Sequence, residues 1–199
     1  MATCEASVVV VAQHFCAPYP VDLTVTEKAI SLTDGDYAVT DVNGNIVFKV
    51  KGKLLSIRDR RVLVDAAGNP LVSMQQKIIS MHRRWKVFRG DSSSSKDLLF
   101  NARKTSLFQF KTELDVFLAS NSTEQHCDFK VKGSYFERSC TIFLGNTNTV
   151  IARMSRQYSA KNIVLGKDAF GISIYPNVDY AFVVALIVIL DEINEDKKD

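Results

Sequence analysis

The sequence predicts a mainly β fold: a closed antiparallel barrel of about twelve short strands around a hydrophobic C-terminal α-helix. Three observations point there. Between Val21 and Ser155 polar and apolar residues alternate with period two, which on a strand gathers the apolar side chains on one face. Turn-forming residues interrupt that region at short intervals. The last apolar run, Tyr180 to Leu190, is eleven residues long without a polar break.

The alternation is clearest in Asp22-Leu23-Thr24-Val25-Thr26 and in Asn45-Ile46-Val47-Phe48-Lys49-Val50-Lys51. In the second run Ile46, Phe48 and Val50 share one face, with Lys49 and Lys51 on the other. Asp34-Gly35, Asn43-Gly44, Ala67-Gly68-Asn69-Pro70 and Gly145-Asn146 separate such runs. Gly and Asn accept the positive φ of tight hairpins, so these read as strand-to-strand turns. Further strands are expected over Arg61–Asp65, Leu71–Lys77, Arg84–Phe88, Leu98–Arg103, Leu114–Ala119, Phe129–Lys132, Thr141–Leu144, Thr149–Arg153 and Gly171–Ile174. No amphipathic helix intervenes, the pattern of a sandwich or a barrel. Gly90-Asp91-Ser92-Ser93-Ser94-Ser95 reads as a flexible spacer, open to phosphorylation without any specific signature.

Pro176-Asn177-Val178-Asp179 then supplies turn and capping residues, with Asp179 placed to accept backbone N–H groups. Three readings compete for the apolar run behind it. A buried strand suits its Val and Ile content but not its length. A membrane span needs about 20 apolar residues, which it lacks. A helix apolar on every face must be surrounded by protein. A barrel whose inner face needs filling and a helix that needs cover on all sides satisfy each other.

At 199 residues, with 46% hydrophobic and 24% charged residues, 9 Gly and 4 Pro, the chain reads as one domain. Its expected parts are an N-terminal extension (1–20), a barrel (21–175), a central helix (178–193) and a charged tail (194–199). Glu5 and the brief run Val8 to Ala12 do not make a secretory signal. Cys4, Cys16, Cys127 and Cys140 form no CxxC pair and no dense framework, the usage of reduced thiols. A cytoplasmic protein, with peripheral-membrane or nuclear association and not secreted, is expected. Asn121-Ser122-Thr123 then reads as a polar turn rather than a glycosylation site.

The net charge of +3 hides a strong asymmetry. Residues 1–44 hold one basic and six acidic side chains, residues 45–111 fifteen and four, and residues 112–199 nine and twelve. A basic middle between acidic flanks speaks about partners rather than fold.

Chemistry is sparse. Nucleotide-binding glycine motifs, a serine nucleophile elbow and a zincin helix motif are all absent. His14 and Cys16, with His126 and Cys127, fit no standard zinc spacing, and adjacent residues on a strand face opposite ways. Asp34 and Asp36 flank Gly35 as turn solvation. No catalytic, cofactor-binding or metal-binding residue is expected. In Arg83-Arg84-Trp85-Lys86-Val87-Phe88-Arg89, Trp85 and Val87 share a face with Arg83 and Arg89, and Arg84, Lys86 and Phe88 share the other. The bland reading packs Trp85 inside and leaves the charges in water. The functional one is an anion-binding patch of Lys49, Lys51, Lys53, Arg60, Arg84 and Lys86, since both cation types serve phosphate groups.

The stretches Arg58-Asp59-Arg60-Arg61-Val62-Leu63-Val64-Asp65-Ala66-Ala67-Gly68-Asn69-Pro70 and His82-Arg83-Arg84-Trp85-Lys86-Val87-Phe88-Arg89-Gly90 resemble the LURP-one-related family of plants. So do Cys16-Ala17-Pro18-Tyr19-Pro20, Leu114-Asp115-Val116-Phe117-Leu118 and Tyr175-Pro176-Asn177-Val178-Asp179-Tyr180-Ala181-Phe182. The resemblance covers nearly the whole chain. It implies a tubby-like barrel related to phospholipid scramblases, and an association of some members with defence responses. Scramblases carry an acidic calcium-associated segment before the terminal helix. The matching Gly166-Lys167-Asp168-Ala169-Phe170-Gly171-Ile172 offers one carboxylate beside an ammonium, a poor start for an ion that takes six to eight oxygens. Three classes of function remain. One is a reversible phosphoinositide or membrane-binding module; the second is a protein-interaction scaffold. The third is a transcription-related factor that contacts nucleic acid through the basic block, for which a pI of about 8.6 is modest.

Overall fold

Period-two alternation becomes twelve strands, each paired with two neighbours in one closed sheet. The computed structural model describes residues 7–27, 37–52, 60–76, 84–105, 112–134, 139–156 and 169–195. In chain order the strands are β1 (Val21–Glu27), β2 (Tyr37–Thr40), β3 (Ile46–Gly52), β4 (Arg60–Asp65), β5 (Pro70–Gln76) and β6 (Arg84–Arg89). They continue as β7 (Leu98–Lys104), β8 (Thr112–Leu118), β9 (Phe129–Ser134), β10 (Ser139–Leu144), β11 (Val150–Arg156) and β12 (Ala169–Ile174). The helix α1 (Tyr180–Glu195) ends the described chain. Consecutive strands pair antiparallel, and β1 closes the ring on β12 from Val21↔Ile174 to Thr26↔Ala169. Closure removes the free edges that would otherwise recruit another chain.

Eleven strands fall where alternation places them, with ends shifted by up to three residues. Tyr37–Thr40 was not expected. Four residues are too few for a period to stand out, although Tyr37 and Val39 turn inward and are buried as alternation requires. The turn at Asp34-Gly35 and the segment 166–168 lie outside the described residues.

The terminal apolar run takes the buried-helix form. From Ala181 to Leu190 no residue is more than 3% exposed. The inner face of every strand contributes to the sheath. Phe182, for example, meets Phe100 of β7 edge-on at 5.2 Å and Phe129 of β9 at 4.7 Å. Among the described residues no helix is long and apolar enough to cross a membrane.

Asp179 organises the end of the barrel where α1 begins. Its Oδ1 accepts the N–H of Phe182 at 3.0 Å, a helix N-cap. Its Oδ2 accepts three further N–H groups, from Val10, Val11 and Ala12, at 3.1, 2.6 and 3.1 Å. One fully buried carboxylate therefore joins the helix to the N-terminal segment. That segment is no mere extension: Val10, Val11 and Phe15 belong to the core, and Phe15 packs against Phe48 and Tyr180. Arg89, the last residue of β6, donates to the Val11 carbonyl at 2.7 Å. We refer to this as the capped end. At the opposite end Arg61 donates to Glu192 of α1 at 2.5 Å. A gap there, lined by Tyr37, Val188 and Asp191 among others, holds about 10 Å³, one water at most.

Two hairpins at the capped end repeat one turn. Asp41 accepts the backbone N–H groups of Asn43 and Asn45 and the Asn45 side-chain amide; Asp65 does the same with Asn69. Gly44 and Gly68 supply the positive φ that these turns need, +84° and +95°. Side-chain and backbone hydrogen bonds from the paired asparagine hold each carboxyl below the usual range, so both stay charged.

Asp179→Ala would orphan four N–H groups at once. Each buried orphan costs about 1–3 kcal/mol, so a loss of about 4 kcal/mol is expected, roughly 10 °C in Tm for a chain of this size. Asp179→Asn should lose most of the same, because its amide NH₂ meets donors wherever it points. Denaturant unfolding checks both, and a cost below about 1 kcal/mol for the Asn variant would contradict the joint role.

Candidate functional site

The alternation that buries Phe48 and Val50 turns Lys49 and Lys51 outward on β3. Register carries the outer surface across the sheet: Lys51 lies opposite Val62, Val62 opposite Ser73, and Ser73 opposite Phe88. One residue pair further along, Arg60 lies opposite Gln75 and Gln75 opposite Lys86. The predicted cations thus sit on three strands, β3, β4 and β6, of one outer quadrant that β5 completes with Gln75. With strands about 4.8 Å apart and a rise of about 3.3 Å per residue, Lys51 and Lys86, three strands and two residues apart, stand about 16 Å from each other. Lys53 lies outside the described residues.

Within that quadrant arginines and lysines differ in state. Arg60 pairs with Asp91 at 2.6 Å and donates to the Ser92 carbonyl at 3.3 Å. Arg84 grips Glu124 with both terminal nitrogens, at 2.7 and 2.8 Å. The other described arginines of the basic block are engaged too: Arg61 by Glu192, Arg89 by Val11, and Arg103 by Asp115 at 3.9 Å, above the Phe117 ring. Lys49 reaches only the Ala66 carbonyl, at 3.3 Å, and among the described residues no hydrogen bond or ion pair engages Lys51 or Lys86. The planar fork of arginine suits bidentate intramolecular clamps, whereas the flexible ammonium stays in solvent.

The arginine clamps fasten two loops onto the outside of the barrel. Residues 90–97, expected as a free spacer, are instead docked. Ser73 donates to the Ser92 carbonyl at 2.5 Å, Ser92 to Asp97 at 2.6 Å, and the Ser94 N–H to Ser92 Oγ at 3.1 Å. Composition suggested a spacer because the anchors, Arg60 and Ser73, are remote in sequence. On this outer face Val62, Val64, Ser73 and Phe88 are buried yet stand apart from the main core. Residues 119–128 form the second loop. Asp128 accepts the Leu118 N–H and the Asn121 amide, both at 2.8 Å, and Glu124 reaches Arg84. Asp91 and Glu124 have no sequence signal that marks them as partners, since each pairs across at least thirty residues.

Trp85 and Val87 are inside the barrel, 1% and 0% exposed, and Arg84 and Lys86 outside it. His126 and Cys127 lie in the second loop, not on a strand. Cys127 is buried and touches Asn146 at 3.4 Å; Cys16 sits beside Val8 at the capped end. Burial pushes both thiols up, aided by the carboxylates of Asp179 at Cys16 and Asp115 at Cys127, so neither is poised as a nucleophile. Among the described residues no group of three His, Cys, Asp or Glu side chains is arranged to hold a metal.

Known proteins match this architecture closely. The LURP-one-related family model matches residues 21–191. Protein LURP-one-related 15 of Arabidopsis thaliana is 48% identical, over 98% of this chain and 90% of that protein. Protein LURP-one-related 10 of the same plant is 47% identical, over 96% and 99%. An X-ray structure of an Arabidopsis thaliana protein, 43% identical, superposes with a TM-score of 0.75 over 94% of this chain and 98% of that one. The chain, with its helix-filled barrel, belongs to the LURP-one-related family.

Proposed function

We propose that this chain is a non-enzymatic cytoplasmic module in plant defence signalling that docks reversibly on phosphoinositide-containing membrane. The observation that carries the reading is the lysine set Lys49, Lys51 and Lys86: three outward ammonium groups, free of carboxylate partners, on one quadrant of a rigid barrel. Arg60 and Arg84 shape that quadrant by fastening its loops, and Lys53 extends the basic run beyond β3. The filled interior favours an exterior site: a gap of about 10 Å³ is far below the several hundred that small-molecule pockets occupy. Resemblance to tubby-like proteins, whose barrels bind such lipids, supports the same choice. A nucleic-acid role is less well supported. Base stacking needs aromatics among the cations, but neither of the exposed described tyrosines, Tyr19 and Tyr175, lies on the β3–β6 quadrant.

Each lysine near an anionic surface contributes about 1 kcal/mol. The Lys49→Gln/Lys51→Gln/Lys86→Gln variant should therefore bind phosphoinositide vesicles about a hundredfold more weakly in flotation, with unchanged Tm. Binding of the parent should fade with salt. Equal flotation on neutral and anionic vesicles would refute the reading.

The arginines should behave oppositely. Arg84→Gln should cost about 1 kcal/mol of stability, some 2–4 °C in Tm, while flotation at a temperature where it is folded stays within about twofold of the parent. Weak flotation with intact Tm would assign Arg84 to the lipid instead.

A further inference from the structure

Four serines in a row, Ser92 to Ser95, look equivalent in sequence, but the fold does not treat them alike. Ser92 is half-buried and committed to the dock: its Oγ donates to Asp97 at 2.6 Å and accepts the Ser94 N–H at 3.1 Å. Its carbonyl accepts Ser73 Oγ at 2.5 Å and Arg60 at 3.3 Å. That carbonyl belongs to the peptide bond that leads into Ser93, so the backbone of Ser93 is held over β5. The Ser93 side chain is exposed, and among the described residues no hydrogen bond engages its hydroxyl. Ser95 is exposed too, but it opens the short turn Ser95–Asp97 that leads into β7.

Register fixes where this anchor stands among the lysines. Ser73 shares an outer row with Lys51, Val62 and Phe88. It is two strands from Lys51, and one strand and two residues from Lys86. By strand spacing and rise those separations are about 10 Å and about 8 Å. The loop is therefore seated between two solvated ammonium groups, each about one Debye length away at physiological salt. Their flexible stems let both heads come closer still.

The carboxylates of the loop make no use of these lysines. Asp91 pairs with Arg60 at 2.6 Å, and Asp97 accepts the Ser92 hydroxyl. A phosphate on Ser93 would add up to about two negative charges and three acceptor oxygens. Among the described residues, the nearby cations without a carboxylate partner are Lys51, Lys86 and the loop's own exposed Lys96. We propose that Ser93 is a phosphorylation site whose phosphate occupies Lys51 and Lys86 and so releases the chain from anionic lipid. In the step a protein kinase moves the γ-phosphoryl group of ATP to Ser93 Oγ. The P–O bond to ADP breaks, the new O–P bond forms, and the hydroxyl proton is released. Ser92 to Ser94 is irregular backbone, so a kinase need break no strand pairing to reach it. The release rests on the membrane reading; the contact between phosphate and lysines does not.

The full folded chain, incubated with ATP and a kinase fraction from leaf extract, should gain phosphate on Ser93 by mass spectrometry. Ser93→Ala should lose it, and phosphate found only at other residues would overturn the site. The full chain made with phosphoserine at position 93 gives two further readouts. In flotation it should bind phosphoinositide vesicles at least about tenfold more weakly than the parent, with unchanged Tm. In phosphorus NMR the second pKa of the phosphate should fall below its ordinary value of about 6. That value should return toward the ordinary one when Lys51→Gln/Lys86→Gln is added. Flotation equal to the parent's, or a titration indifferent to the two lysines, would overturn the proposal. A parent that floats no better on anionic than on neutral vesicles would sink the membrane reading and the release with it, while the titration still decides the lysine contact.

Discussion

A helix that is apolar on every side cannot stand in water, and satisfying that constraint shapes the rest of the molecule. Ala181 to Leu190 offers no polar face along which the helix could lie on a sheet. A closed ring of strands is the arrangement that covers it completely. Closure then leaves two open ends, and each is sealed by a buried carboxylate on the helix or at its start. Asp179 gathers four N–H groups at the capped end, and Glu192 holds Arg61 at the other. The N-terminal segment thus becomes part of the core of a barrel whose strands come later in sequence.

An interior filled by its own helix has consequences for function. Recognition moves to the outside, where the sheet offers a convex surface and the loops decide which parts of it stay bare. The docked segments 90–97 and 119–128 cover the outer face near β4 to β8 and consume its arginines. Among the described residues, the solvated lysines on β3 and β6 remain accessible.

Much of this was legible beforehand, for identifiable reasons. Alternation such as Ile46, Phe48, Val50 against Lys49 and Lys51 encodes a half-buried strand locally, and Asn-Gly or Gly-Asn encodes its turn. Tyr180 to Leu190 encodes burial by composition alone. Asp179 was readable as a cap, since capping is local, but its three contacts to Val10, Val11 and Ala12 span well over a hundred residues. The same limit hid the clamps. Arg60 and Arg84 look like ligand-binding cations in sequence because Asp91 and Glu124 are brought to them only by the fold.

Native-state amide hydrogen exchange of residues 181–190 tests the sheathed helix most directly. A helix enclosed by a closed sheet can exchange only when the barrel opens, so these amides should match the global unfolding free energy from denaturant titration. Exchange of the helix through a much smaller local opening, while the strands stay protected, would contradict the account.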